Sequence, residues 1–215
     1  MISDRIQEVK EQIRLHCEKC GRNPSEVTLI AVSKTKPVEM VQEAYNGGQI
    51  DFGENKVQEM CEKQGILESL SIRWHLIGHL QSNKVKKAVA VAEMIHSVDS
   101  LALAEEINKQ AAKIDKIQDI LIEVNVAEEE SKFGITTETA EDLVRAVAKL
   151  PNLRLRGFMT VAPYTEDPET NRVYFRRLRQ LMVDINAKNI DNICVDVLSM
   201  GMSGDYGVAV EEGAT

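Results

Sequence analysis

Short apolar runs and segments of helical period alternate along the whole chain, and no other feature constrains the fold as much. Strands are expected at 27–33, 50–53, 73–77, 94–97, 119–126, 154–160 and 194–199. Between and after them, helices are expected at 38–47, 54–64, 82–92, 100–115, 137–149, 168–186 and 205–212. Strand-helix alternation of this kind builds a parallel sheet. An additional amphipathic helix over 3–20, with Ile2, Ile6, Val9 and Ile13 at helical spacing and Gly21 at its end, precedes the first strand. No Pro/Gly/Ser linker interrupts the pattern, so residues 1–215 read as a single domain.

Two architectures fit seven parallel strands. A doubly wound open sheet usually carries a glycine-rich first turn that cradles a phosphate, but the first turn here is Ser33-Lys34-Thr35-Lys36-Pro37. The α/β fold expected is therefore a (β/α)8 TIM barrel with an extra N-terminal helix. Its last strand is expected to be missing from this sequence, because a barrel left open exposes strand edges.

Charge narrows the partners. Lys and Arg total 26 against 34 for Asp and Glu, a net charge of −8, which argues against general nucleic-acid binding. No apolar run has the length of a membrane span or a signal peptide, so a cytosolic protein with no membrane partner is expected, and one compact acidic domain suggests a monomer. His75 and His79 straddle a strand end without a carboxylate at ligand spacing, and no metal site is expected.

In such barrels the chemistry lies at the carboxyl ends of the strands. "LIAVSKTKP", residues 29–37, is a run that reads as buried on both faces and yet ends in Lys34. An amine at the mouth of an apolar barrel loses solvation, has a lowered pKa, and when neutral can attack an aldehyde. The alternative is a lysine that snorkels to solvent, and spacing alone favours it. Lys36, held against Pro37, reads as a solvated lysine. "LSMGMSGDY", residues 198–206, reads either as a phosphate-holding turn or as a capping turn with Ser203 as the cap.

Taken jointly, "AVSKTKP", "FGENKVQE", "WHLIGHLQSNK", "SVDS", "RGFMTVAP" and "LSMGMSGDY" resemble the pyridoxal-phosphate homeostasis proteins, in the family's order and over nearly the whole chain. The resemblance implies a barrel of the alanine-racemase type with pyridoxal 5'-phosphate (PLP) bound to Lys34 as a Schiff base. It also implies cofactor-facing roles for Asn55, His79 and Met159, and phosphate-side contacts near Ser199 and Met200. Members of that family normally continue into an Arg-Ile-Gly-Thr strand, whereas this sequence stops at Thr215.

The resemblance further implies homeostasis of vitamin B6 and of amino and keto acids, with apo PLP-dependent enzymes as recipients. No catalytic turnover is expected, because racemization needs a second acid/base opposite the lysine that racemases take from a further domain and a partner subunit. A racemase-like PLP enzyme is the alternative.

Overall fold

The apolar runs become strands and the periodic segments become helices in the predicted order, in a computed structural model that describes residues 1–129 and 132–215. The elements are α1 (Ile2–Lys19), β1 (Ala31–Val32), α2 (Val38–Asn46), β2 (Asp51–Glu54), α3 (Val57–Ile66), β3 (Arg73–Leu76), α4 (Val85–Val91) and β4 (Met94–Val98). There follow α5 (Leu101–Ala112), β5 (Gln118–Glu123), α6 (Ala140–Val147), β6 (Leu153–Met159), α7 (Arg172–Ala187), β7 (Val197–Ser199) and α8 (Tyr206–Glu211). Every strand pairs in parallel with its neighbour in sequence, in the order β1 to β7. This is the order of a TIM barrel, with seven strands among the described residues.

Period-two alternation sorts the strand side chains into two layers. Phe52, Trp74, Leu76, Ile95, Ile120 and Ile122 belong to the main core together with apolar side chains of the helices. Within it the rings of Phe52 and Trp74 lie 5.9 Å apart. The opposite parity forms the interior, where Met94, Leu121 and Met159 pack with Val197.

Strand β1 departs from the sequence reading. The run at 27–33 reads as buried on both faces, yet only Ala31–Val32 is strand, and Val32 is 47% exposed. The reason is its place at an edge. Among the described residues strand β1 pairs with β2 alone, and Ile30 and Val32 face Gly53, which has no side chain to cover them.

Two devices join the edges of the sheet. Thr215 stands between β7 and β1: its N–H donates to the Leu198 carbonyl (3.1 Å), its carbonyl accepts from the Thr28 N–H (2.7 Å), and its hydroxyl accepts from the Leu198 N–H (2.9 Å). It occupies the place of the eighth strand that the strand count requires. Outside this seam lies α1, whose 18 residues span about 27 Å. The Ile2 N–H at its start donates to Glu43 of α2, while His16 and Lys19 at its end bond Glu211 of α8. Ile13 and Cys17 of α1 are buried with Val210 of α8.

Candidate functional site

Because every strand runs parallel, all the carboxyl ends meet on one rim. Lys34, Asn55, His79 and Met200 lie there just after β1, β2, β3 and β7, and Met159 and Ser199 are the last residues of β6 and β7.

Lys34 occupies a turn closed by the Lys36 N–H on the Ser33 carbonyl (3.0 Å), with Thr35 at φ +61°. The parity that turns Ile30 and Val32 inward also applies to Lys34. The expected loss of solvation is not found: Lys34 is exposed, because β1 is an uncovered edge. Among the described residues no hydrogen bond or ion pair engages its amine. The turn beneath it is held firmly. The Ser33 hydroxyl donates to Glu54 Oε1 (2.6 Å), and buried Lys63 Nζ donates to the Ser33 carbonyl (2.6 Å), Glu54 (2.7 Å) and Glu59 (2.8 Å). Glu59 also accepts the Thr35 N–H at 2.6 Å.

The loops after β2 and β3 touch through backbone. A Cβ on Gly78 would lie 2.4 Å from the Asn55 carbonyl oxygen, so only glycine permits this approach and Asn55 is held beside the His79 loop. His79 lies 3.5 Å from Asp99 and stacks on Phe133, with centroids 4.1 Å apart. His75 does not join it, since it turns into the interior.

Met159 and Ser199 are register partners across β6 and β7. Met159 is buried with Met94 and Leu121 and so forms part of the floor. The Met200 side chain packs against the two larger apolar clusters, leaving its backbone for any contact at the rim. In the loop that follows, Ser203 is exposed and does not cap α8. Asp205 is the cap residue instead, its carboxylate accepting from the Met202 N–H (2.6 Å) and from Asn171 (2.8 Å). Among the described residues the N–H groups of Met200, Gly201, Ser203 and Gly204 find no protein acceptor. Gly201 adopts φ +92°, the left-handed region that aims successive N–H groups toward one side.

Two features escaped the sequence reading. A hydrogen-bonded row crosses the interior from Asp51 to His75 (3.1 Å), His75 to His96 (2.9 Å) and His96 to Ser199 (2.9 Å). Arg73 holds the other Asp51 oxygen at 2.6 Å. Burial acts to raise the Asp51 carboxyl, but hydrogen bonds from His75 and Arg73 outweigh it and leave it below its usual value. Burial, with His75 second, holds His96 well below the usual histidine range. The second feature is Glu123, at a cavity of about 190 Å³ that Asn125, Lys132 and Phe133 also line. Burial, and then the nearby Asp99 charge, push its carboxyl up to about 7. Histidine within the apolar run of β4 was the signal available for the first; nothing local marked the second.

The alanine racemase N-terminal domain model matches residues 5–211. The pyridoxal phosphate homeostasis protein of Aquifex aeolicus is 45% identical over 212 residues, covering 99% of this chain and 92% of that protein. The chain belongs to the pyridoxal phosphate homeostasis protein family. PipY of Synechococcus elongatus, solved with PLP bound, superposes on this family member with a TM-score of 0.88 at 34% identity, covering 100% of this chain and 95% of PipY. Without PLP the PipY score is 0.90, at 35% identity and the same coverage. An alanine racemase from Clostridium difficile shares the fold, with a TM-score of 0.71 at 12% identity, over 93% of this chain and 52% of the racemase.

Proposed function

We propose that this chain binds PLP at the strand-end rim through a Schiff base to Lys34, and serves cytosolic PLP, amino-acid and keto-acid homeostasis as a monomeric carrier without turnover. The observation that carries this reading is Lys34 itself: an amine without a protein partner among the described residues, on a turn fixed by the buried Ser33, Glu54 and Lys63. The donor set suits the cofactor. The amine matches an aldehyde, while the Ser199 hydroxyl and the N–H groups of Met200, Gly201, Ser203 and Gly204, without an acceptor among the described residues, match a phosphate. Asn55, His79 and Met159 are assigned to the ring: Met159 as an apolar floor, and His79 oriented by Asp99 and Phe133. PLP supplies an electrophilic carbonyl and an electron-withdrawing ring. The protein's part is to hold and orient it, then to release it to apo PLP-dependent enzymes.

One observation favours the alternative, a racemase-like enzyme. Glu123, with its carboxyl near 7, is a proton-transfer group on the same rim. Purified protein should be yellow, and borohydride should fix the cofactor to the peptide bearing Lys34. Lys34→Ala should abolish that adduct. A colourless protein that PLP cannot reconstitute would overturn the binding reading. Lys34-dependent racemase or decarboxylase turnover, lost in Glu123→Gln, would replace the carrier with the enzyme.

A further inference from the structure

The interior row has a direction. Asp51, ionised beside Arg73, can only accept hydrogen bonds, so the proton it shares with His75 sits on His75 Nε2. With His75 neutral, its Nδ1 is a bare acceptor, and the proton shared with His96 sits on His96 Nε2. Neutral His96 then has a bare Nδ1, and the hydrogen between it and Ser199 belongs to the hydroxyl. Ser199 therefore points its hydrogen inward and shows only lone pairs to the rim. An anionic oxygen arriving there meets no donor from this side chain.

One added proton reverses the whole row. The Ser199 oxygen takes a proton from the rim as its own hydrogen passes to His96 Nδ1. The His96 Nε2 proton then passes to His75 Nδ1. The balance is one proton gained, one imidazolium formed at His75 beside the Asp51 carboxylate, and no other change. Ser199 now accepts from His96 and has its hydrogen free for the rim.

We propose that His75 and His96 are positioning residues that set the direction of the Ser199 hydroxyl, so that a phosphate monoester is engaged there together with one proton. This rests on the phosphate-side role of Ser199 proposed above. The charged groups around the row favour it. Asp51 from β2 faces His75 directly, and Arg73 of β3 is spent on the other Asp51 oxygen. Asp119 of β5 is paired with Arg154 and Arg156 of β6, and Arg156 also with Asp196, so their charges are matched among themselves. His96 contacts His75 and Ser199, and no further charged partner engages it among the described residues.

The test reads the row itself. In the full chain labelled with ¹⁵N-histidine at pH 8, His96 should carry its proton on Nε2 when free and on Nδ1 when saturated with PLP. Pyridoxal, which binds the same lysine without a phosphate, should leave His96 on Nε2. The ratio of PLP to pyridoxal affinity should fall by up to tenfold per pH unit between pH 7 and 9, a range above the phosphate's own second pKa near 6. In His75→Gln that ratio should become flat. If Ser199→Ala weakens PLP binding while His96 keeps its Nε2 proton in the loaded protein, the proton coupling is overturned and the phosphate site stands. If Ser199→Ala leaves PLP binding unchanged, the site reading fails and the coupling falls with it.

Discussion

Glu123 is buried and the side chain of Glu211 is largely covered, yet their carboxyls move in opposite directions. Burial acts to raise both. At Glu211 the hydrogen bonds of Lys19, Arg172 and His16 outweigh burial and hold the group down at about 2. At Glu123 the neighbouring charge is Asp99, and the group rises to about 7. The same division runs through the molecule. In the helix layer buried charge is matched, as with Lys63 against Glu54 and Glu59, and serves to hold elements together. Nearer the rim, Glu123 and His96 have no counter-charge among the described residues, while deeper in the interior Asp51 and Asp119 are matched by arginines.

The comparison breaks most easily at Lys63. Lys63→Met strands Glu54, which is completely buried, without its counter-charge, and should lower stability by about 3 to 5 kcal/mol in urea unfolding. Adding Glu54→Gln to the same chain should recover most of that loss. A cost under about 1 kcal/mol for the single change would mean that the clamp beneath Lys34 does not hold the turn.

Glu123→Gln should act in the other direction. A carboxyl whose folded value is raised to about 7 makes the fold lose stability as pH climbs from about 4.5 to 7, so the gain from its removal should grow through that window and be complete above it. At pH 8 the gain should be about 2 to 3 kcal/mol, and at pH 4 close to none. Thermal melts at the two pH values separate this from a general packing effect.

Glu211→Gln should cost about 1 to 2 kcal/mol at pH 7, with the cost shrinking as pH falls from about 4.5 toward 2, the window in which the unfolded chain takes up a proton that the native carboxylate still refuses. Acid titration of wild type and variant by circular dichroism measures it. The smallest effect is expected at Thr35, a β-branched residue at φ +61°. Thr35→Gly should gain about 0.5 to 1 kcal/mol by relieving the turn, read as a small rise in melting temperature.

Much of this was legible in the sequence. Alternation located seven strands and eight helices, and the rim residues followed from reading each strand end together. Lys34 was visible as an amine closing an apolar run. The errors have one cause. The solvation of Lys34 and the exposure of Val32 depend on which element covers which, and period-two parity in one strand does not say what lies opposite. Ser203 read as a cap by residue type, but Asp205, tied to Asn171 from another element, took the position.

The sequence by itself determined the parallel barrel order and the set of residues carried to one rim, because strand period and helix period are local properties of the chain. Only the tertiary structure decided that Asp51, His75, His96 and Ser199 form one row, and that Lys63 anchors the Lys34 turn. Those partners come from strands and helices up to 103 residues apart, and hydrogen-bond direction and charge balance exist only once the barrel brings them within about 3 Å.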